Sequence, residues 1–335
     1  MGLISILKKK NKKTLFTTPS HSGKFCIVHK FYQWYKADIS EIEALDPESA
    51  LKEAEKKAST IYGTKYTKFL TNGSSSGIIS AILAAKPTKI LIWENAHPCH
   101  KNGAKLSGAE VIQYSLSLDE NLGVYKAISP EEVNALIKKY APSTLVITSP
   151  TYEGFVAAVN EISQICRENG VTLIVDEAHG ALYPFSENLP ESAVKHADFT
   201  VQSLHKTAGG INPTALLHSN NIDPTEALNM ISTTSPSYPM LATIEANINF
   251  LNSQKGRKKI EELIKNIKAL NITQLNDDPT KILLTGGEDL SEQLFNEYDI
   301  EDERTNDKTT MLLCGIGTNK KKLERLKKAL SHLGF

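Results

Sequence analysis

Short apolar segments alternate with helical segments along the first two thirds of this chain, and this alternation most constrains its fold. Each apolar segment is four or five residues long and is bounded by polar or turn-forming residues. The predicted strands are Lys68–Thr71, Lys89–Trp93, Thr144–Thr148, Thr172–Val175 and Phe199–Gln202. Strands that alternate with helices predict a largely parallel sheet of the α/β class.

Chemically reactive residues directly follow several of these strands. A Gly/Ser turn at residues 72–77 precedes a predicted helix from Ile78, Asp176 ends the fourth strand, and Lys206 follows the fifth. The turn offers backbone amides and a helix N-terminus to an anion, although an ordinary helix cap has the same composition. Ligands of α/β sheets bind beyond the carboxyl ends of the strands. We therefore expect the three motifs to meet at one edge of the sheet.

Asp176 and Lys206 are the pair of residues that pyridoxal phosphate (PLP) chemistry requires. The lysine forms a Schiff base with the cofactor aldehyde, and the carboxylate keeps the pyridine nitrogen protonated so that the ring accepts electrons. Ser203 and His205 can hydrogen-bond the phosphate. Each motif alone also fits an ordinary strand end or a surface lysine, so the hypothesis depends on the rest of the chain.

Composition argues against several other classes of protein. The formal net charge of the 335 residues is zero, which disfavours a nucleic-acid-binding protein. No apolar stretch is long enough to span a bilayer, and the first 13 residues lack the features of a signal peptide. Neither a Walker A motif nor GxGxxG occurs. Four widely spaced cysteines fit reduced thiols, so we predict a cytoplasmic protein without metal.

The pattern of apolar and helical segments changes twice along the chain, which predicts that the chain has three parts. Residues 1–45 are predicted as an N-terminal arm, residues 46–254 as a large cofactor-binding domain, and residues 255–335 as a small α+β domain. The elements predicted for the small domain are a charged helix at 255–270, strands at Lys281–Leu284 and Met311–Cys314, and a helix at Lys320–Leu330.

A series of sequence blocks, none specific alone, follows in a fixed order along nearly the whole chain. The blocks are Thr18–Gly23, Leu70–Gly77, Asn95–His97, Leu106–Ala109, Ser149–Gly154, Val175–Ala181, Gln202–Thr207, Thr234–Tyr238, Asp278–Thr280 and Gly315–Thr318. Together they resemble the bacterial ornithine/lysine/arginine decarboxylase family. The resemblance implies a PLP-dependent enzyme of the aspartate-aminotransferase fold (fold type I), with a mostly parallel sheet in the large domain and a small α+β C-terminal domain.

The resemblance also implies roles for individual residues. Lys206 would form the Schiff base, Asp176 would pair with the pyridinium nitrogen, His97 would stack on the ring, and His179 would lie near the Schiff base and the substrate carboxylate. The residues implied in cofactor phosphate binding are Gly73, Ser74, Ser75, Ser203, His205, Thr234 and Ser235. The last two would reach the phosphate of a neighbouring subunit, which implies a homodimer with shared active sites.

The reaction implied by the resemblance is α-decarboxylation of arginine, lysine or ornithine to agmatine or a diamine, through an external aldimine and a quinonoid. The distal cation of such a substrate requires an acidic partner. Glu153, Glu177 and Glu301 are candidates, and each could equally be a structural or surface carboxylate.

Two departures from the family leave alternatives open. Ser20 stands where the family has glycine, and the chain is shorter than usual members because residues 235–278 and the C-terminal part are contracted. The alternatives are an aminotransferase or a C–C lyase on the same fold, or a non-catalytic PLP-binding homologue. Arg304 is the one obvious arginine in the predicted small domain that could hold a substrate carboxylate.

Overall fold

The structure, a computed structural model, describes residues 14–16 and 47–335. The predicted arm, including Ser20 and the block Thr18–Gly23, therefore lies almost entirely outside the described residues. Within those ranges the helices are α1 (Pro47–Tyr62), α2 (Gly73–Ala85), α3 (Pro98–Ser107), α4 (Pro130–Tyr140), α5 (Val159–Glu168), α6 (Thr225–Ile231), α7 (Tyr238–Asn252), α8 (Gln254–Lys268), α9 (Gly287–Tyr298) and α10 (Lys320–His332). The strands are β1 (Thr14–Leu15), β2 (Tyr66–Leu70), β3 (Lys89–Trp93), β4 (Glu110–Tyr114), β5 (Leu118–Asp119), β6 (Val124–Tyr125), β7 (Thr144–Thr148), β8 (Thr172–Asp176), β9 (Phe199–Ser203), β10 (Ala215–Ser219), β11 (Lys281–Thr285), β12 (Ile300–Glu301), β13 (Arg304–Thr305) and β14 (Thr309–Leu313).

The main sheet of the described part has seven strands in the order β2-β10-β9-β8-β7-β3-β4. Strands β9, β8, β7, β3 and β4 are parallel neighbours, whereas β10 is antiparallel to both β9 and β2. Because two antiparallel steps restore the direction, β2 runs the same way as the parallel strands. The carboxyl ends of β2, β9, β8 and β7 therefore share one edge, which we call the carboxyl edge, and the predicted largely parallel sheet is confirmed.

Strand β10 does not stand out in the sequence because polar residues are buried in it. All five of its residues are buried, including His218 and Ser219. His218 bonds to Thr67 Oγ1 at 2.9 Å through Nδ1 and to Gln202 Oε1 at 3.3 Å through Nε2. Polar groups on adjacent strands thus satisfy one another inside the protein, and the apolar run of the strand is only three residues long, Ala215–Leu217.

Helix α2 begins at Gly73, five residues before the predicted start at Ile78, so most of the predicted Gly/Ser turn is helical. Gly77 lies against the sheet, where an added Cβ would be 2.7 Å from Leu70 Cδ1 and 2.8 Å from Val201 Cγ1. The missing side chain allows the helix to approach the sheet this closely. The first turn of α2 is thereby held at the carboxyl edge.

A three-stranded antiparallel sheet in the order β11-β14-β13 follows, which we call the small sheet. Its Leu312 shares one buried cluster with Tyr62 and Leu216 of the preceding part, so the two parts have a continuous core. The predicted domain boundary at 254/255 stays a prediction.

A buried ion pair beside the small sheet is linked to the main-sheet part by a tyrosine. Lys281 Nζ lies 2.7 Å from Asp278 Oδ2, and neither side chain is exposed to solvent. The hydroxyl of Tyr183, from the main-sheet part, donates to the same oxygen at 2.8 Å. We call these three residues the buried joint. No helix in the described ranges combines the length and the apolar character needed to cross a bilayer.

Candidate active site

Lys206 lies in a single π-helical turn, Leu204–Ala208, that directly follows β9. Such turns are frequent at functional sites. Its Nζ lies 3.2 Å from Nε2 of His179. Burial lowers the pKa of Lys206, and the negative charge of Asp176 opposes this shift. The amine is therefore closer to its neutral, nucleophilic form than an exposed lysine.

Asp176 ends β8 at the carboxyl edge and is only 7% exposed. Its Oδ2 accepts a hydrogen bond from His100 Nε2 at 2.8 Å, and its Oδ1 accepts one from the backbone N–H of Ala178 at 3.1 Å. Burial raises the pKa of Asp176, but the hydrogen bond and charge of His100 and the charge of Lys206 lower it below the usual value. The group stays ionised, as a partner of a protonated ring nitrogen must.

His100 is a site residue that sequence reasoning missed. The side chain is fully buried, and within the described ranges its Nδ1 has no hydrogen-bond partner. Because a carboxylate can only accept, Nε2 must carry the hydrogen that is donated to Asp176. The spacing of His97 and His100, three residues apart at the start of α3, is the signal that could have identified it.

His97 and His179 both lie within electrostatic reach of Lys206. His97 caps α3, and its Nδ1 accepts from the backbone N–H of Cys99 at 3.3 Å. Burial lowers the pKa of His97, which also responds to the charges of Asp176 and Lys206. Burial and then the charge of Lys206 lower the pKa of His179 well below its usual range. His179 is thus neutral and can accept a hydrogen bond from Lys206.

The predicted phosphate-binding residues supply donors at the carboxyl edge. Gly73, Ser74 and Ser75 form the first turn of α2, whose cap residue Asn72 makes no side-chain hydrogen bond to that turn. Unsatisfied amides at a helix start bind anions. Ser203 Oγ is buried, and among the described residues it has no hydrogen-bond partner. An orphaned hydroxyl and an amide-rich helix start, both at the carboxyl edge, fit a phosphate group.

The other residues predicted to bind the cofactor phosphate are His205, Thr234 and Ser235, and they lie in different environments. His205 Nδ1 donates to the carbonyl oxygen of Thr214 at 3.1 Å. Thr234 and Ser235 lie exposed between α6 and α7, where the backbone N–H of Ser235 donates to Thr233 Oγ1 at 3.1 Å. Their role in a neighbouring subunit stays a prediction. The lysine, the ionised aspartate and the donors at the edge together fit PLP.

The three acidic residues that the sequence suggested as partners of the substrate's distal cation lie in different places. Glu177 faces the core, where Ser192, Gln202 and a backbone N–H donate to it, and burial raises its pKa to about 7. Glu301 lies in β12, which pairs with β1. Glu153 is almost buried and forms an ion pair with Arg304 at 3.3 Å. Glu177 is therefore a structural carboxylate.

Tyr152 connects Lys206 and His179 to the small sheet. Its ring centroid is 4.9 Å from that of His179, and its hydroxyl donates to Glu303 Oε1 at 2.8 Å. The guanidinium of Arg304 lies 4.9 Å from the centroid of the same ring. Glu303, in the turn between β12 and β13, and Arg304, the first residue of β13, thus contact Tyr152. The sequence pattern did not reveal this connection between distant parts of the chain.

Residues 5–282 match the family described as Orn/Lys/Arg decarboxylase, major domain. The uncharacterized protein YaaO of Bacillus subtilis (strain 168) is 32% identical over 250 residues, covering 70% of this chain and 52% of that protein. The arginine decarboxylase of Halalkalibacterium halodurans is 28% identical over 334 residues, covering 88% and 68%. The solved structure of the Escherichia coli constitutive lysine decarboxylase matches with a TM-score of 0.75 at 22% identity, covering 92% of this chain and 55% of that chain.

The chain spans about half to two thirds of the length of these relatives. The structural likeness confirms the predicted aspartate-aminotransferase fold, and the family match extends over most of the chain. The chain therefore belongs to the ornithine/lysine/arginine decarboxylase family, whose major domain it matches from residue 5 to residue 282.

Proposed function

We propose that this protein binds PLP at the carboxyl edge and decarboxylates a basic L-amino acid, either arginine, lysine or ornithine, to agmatine or a diamine. The observation that carries the proposal is the arrangement around Lys206. A buried amine with a lowered pKa lies 3.2 Å from a neutral histidine and within reach of a carboxylate that is kept ionised. This arrangement occurs in a chain of the decarboxylase family.

When bound, PLP supplies the electron sink that accepts the electron pair left on Cα as the bond to the carboxylate breaks and CO₂ leaves. Lys206 would hold the cofactor aldehyde in the resting protein and would carry the proton that replaces the carboxylate on Cα. Neutral His179 would accept a hydrogen bond from Nζ and thereby orient the amine. Asp176, oriented by His100, would hold a negative charge beside the ring nitrogen.

The proposal also covers the assembly of the enzyme, its location and its metabolic role. We infer a homodimer in which Thr234 and Ser235 complete the phosphate site of the neighbouring subunit, a cytoplasmic location, and a role in polyamine supply. The reduced thiols expected from the cysteine spacing support the location, and the exposure of residues 234 and 235 supports the subunit contact.

One observation favours an aminotransferase as the second candidate. Arg304 reaches the ring of Tyr152 and could hold a substrate carboxylate. Its ion pair with Glu153 occupies part of the guanidinium, which weakens this alternative. The two reactions differ in product, because only transamination requires a keto acid and leaves the substrate carboxylate in place.

The test is CO₂ release by the purified, PLP-loaded protein from arginine, lysine, ornithine and a panel of uncharged amino acids, with no keto acid present. We expect release from one basic substrate and formation of its amine. The Lys206→Ala variant, which lacks the reactive amine, sets the background. Absence of release from every substrate, combined with amino transfer once a keto acid is added, would refute the decarboxylase in favour of the aminotransferase.

A further inference from the structure

We propose that helices α8 and α10, together with the lysine run at residues 8–13, form a basic surface that docks on a membrane rich in anionic phospholipids. The protein would lie on this membrane without crossing it. The proposed reaction takes place at the carboxyl edge and does not use the basic surface, so the inference goes beyond that reaction and does not depend on it.

Helices α8 and α10 concentrate positive charge in a chain whose formal net charge is zero. Together they carry twelve lysine and arginine residues but only three glutamates, a formal charge of +9. An equal negative charge is therefore spread over the rest of the chain. Such a separation of charge creates a local positive field that attracts anions, although the total charge is zero.

The two helices lie side by side, with their charged faces exposed to solvent. Apolar residues of both, among them Ile264 and Leu326, belong to the same buried cluster. Lys327 of α10 donates from Nζ to the carbonyl oxygen of Ala269, directly after α8, at 3.1 Å. Within the described part of the chain, several exposed lysines of the two helices form no ion pair: Lys255, Lys258, Lys265, Lys268, Lys321 and Lys328. Their ammonium groups are available to an external anion.

The sequence before β1 has the composition of a membrane-binding segment. Four of the five residues 3–7 are leucine or isoleucine, and five of the six residues 8–13 are lysine. A lysine cluster attracts the anionic headgroups of a bilayer, and a neighbouring apolar group adds the second contribution that stable attachment requires. Five residues are far too few to span the bilayer, so the composition indicates attachment at its surface.

The fold connects this segment to the region of α10. Thr14, the first residue after the lysine run, lies opposite Ile300 where β1 pairs with β12. The residue before Ile300 is Asp299, whose carboxylate forms an ion pair with Arg325 of α10 at 3.4 Å. The lysine run therefore joins the described structure beside α10, and one membrane surface can contact both.

The side chains of these segments favour a bilayer over RNA, the other common polyanion. Both ligands attract lysine through their phosphates. Binding of single-stranded RNA relies on aromatic side chains on which the bases stack, but α8, α10 and residues 1–13 contain no phenylalanine, tyrosine or tryptophan. The leucine and isoleucine residues at 3–7 instead suit the hydrocarbon of a bilayer.

The test is co-sedimentation of the full purified chain with phospholipid vesicles. We expect binding to phosphatidylcholine vesicles that contain about 30% phosphatidylglycerol, and loss of this binding at about 0.5 M salt, because the charges are then screened. Vesicles of phosphatidylcholine alone should not retain the protein. Equal binding to both kinds of vesicle, or binding to neither, would overturn the proposal.

A pair of substitutions on α10 tests the helices themselves. Lys321→Gln combined with Lys328→Gln should lower the partition coefficient on the anionic vesicles about tenfold to thirtyfold, since each lysine near the membrane contributes about fivefold. The matched control, Lys138→Gln combined with Lys139→Gln, removes the same charge from exposed positions of α4. Helix α4 packs in a different buried cluster from α8 and α10, so this control should bind like the unchanged protein. An equal loss in both variants would refute a localised surface.

A second pair of substitutions distinguishes a membrane from RNA. Ile4→Ser combined with Leu7→Ser keeps every charge but removes apolar contact, so we expect binding to the anionic vesicles to weaken about tenfold or more. A single-stranded RNA oligomer is the competing ligand, and its binding is followed by fluorescence anisotropy. Tighter binding of this RNA than of the vesicles, unaffected by the two serines, would identify a nucleic-acid surface and overturn the membrane proposal.

Discussion

Two neighbouring acids show how strongly burial and partners set the charge of individual residues. Asp176 and Glu177 are adjacent in the sequence and both are nearly inaccessible to solvent. His100 and Lys206 hold the pKa of Asp176 below its usual value, whereas burial raises the pKa of Glu177 to about 7. One carboxylate is therefore kept ionised at the candidate active site, whereas the other is a hydrogen-bonded residue of the core.

Replacing His100 should weaken the site through Asp176. The His100→Leu variant removes the donor to Oδ2, which lies 2.8 Å away, and leaves the carboxylate less well stabilised. A hydrogen bond to a charged group contributes about 1.5–3 kcal/mol, so we expect kcat/KM to fall about tenfold to a hundredfold. The Kd of PLP, followed by absorbance, should also rise.

His100→Gln is the matched control, because its amide keeps a donor on a side chain of similar length. We expect it to recover part of the loss seen in His100→Leu. Full activity in His100→Leu would show that Asp176 needs no support from this histidine.

Glu177 should make the stability of the protein depend on pH. Its pKa is 4.5 when free and about 7 in the fold, so between these values the folded chain binds more protons than the unfolded chain. The free energy of unfolding should therefore decrease as pH rises through this window, by about 3 kcal/mol in total, and stay level above it. The measurement is urea unfolding at pH 5 and pH 7.5. In Glu177→Gln the free energy of unfolding should no longer decrease between these two pH values. The same decrease in the variant as in the unchanged protein would contradict the raised pKa of Glu177.

The sequence predicted the chemistry of single residues better than it predicted which residues form hydrogen bonds with them. Lys206 and Asp176 follow recognisable strands, so their position at the carboxyl edge could be predicted. The partner of Asp176 is 76 residues away in sequence, and no local pattern reports such a contact. The same limit applies to Glu303, whose contact with Tyr152 spans 151 residues.

At the scale of elements, the position of α2 depends on the absence of one side chain. In Gly77→Ala the new Cβ would overlap Leu70 and Val201 at less than 3 Å, so the helix must move outward. We expect the free energy of unfolding to fall by about 1–3 kcal/mol, and the Kd of PLP to rise because Ser74 and Ser75 move with the helix.

Gly170→Ala provides a comparison for this variant. Its Cβ would meet nothing within 4 Å, although its φ of +66° strains any residue other than glycine. We expect a stability loss of about 1 kcal/mol and unchanged PLP affinity. Equal PLP affinity in Gly77→Ala would indicate that the first turn of α2 does not bind the phosphate.

Elements with strong local signals were predicted closely, and the others were missed for identifiable reasons. Strands β3 and β7 were predicted with their observed bounds because an apolar run with polar residues around it marks each of them. The start of α2 was predicted too late because glycine and serine suggested a turn. Strand β10 was missed because its buried residues include His218 and Ser219.

At the scale of the whole molecule, the proposed dimer predicts that two defective chains can restore each other. Lys206→Ala lacks the reactive amine, and Ser235→Asp places a negative charge where the partner's phosphate would bind. Each variant alone should be inactive. Co-expressed chains should regain CO₂ release, because a mixed dimer contains one site with both residues unchanged.

The oligomeric state is measured alongside activity, by light scattering on the purified proteins. A dimer that shows no recovery in the mixture would contradict the shared site while leaving the dimer intact. A monomeric protein with full activity would contradict both.

The buried joint limits how this protein can change over generations. Losing either Asp278 or Lys281 alone would leave the other charge buried without its partner, at a cost of roughly 3–5 kcal/mol. Exchanging both for apolar residues of similar volume costs far less. A lineage can therefore leave this ion pair only through a poorly folding intermediate or through two simultaneous substitutions, so we expect descendants of this chain to retain both residues or to have replaced both.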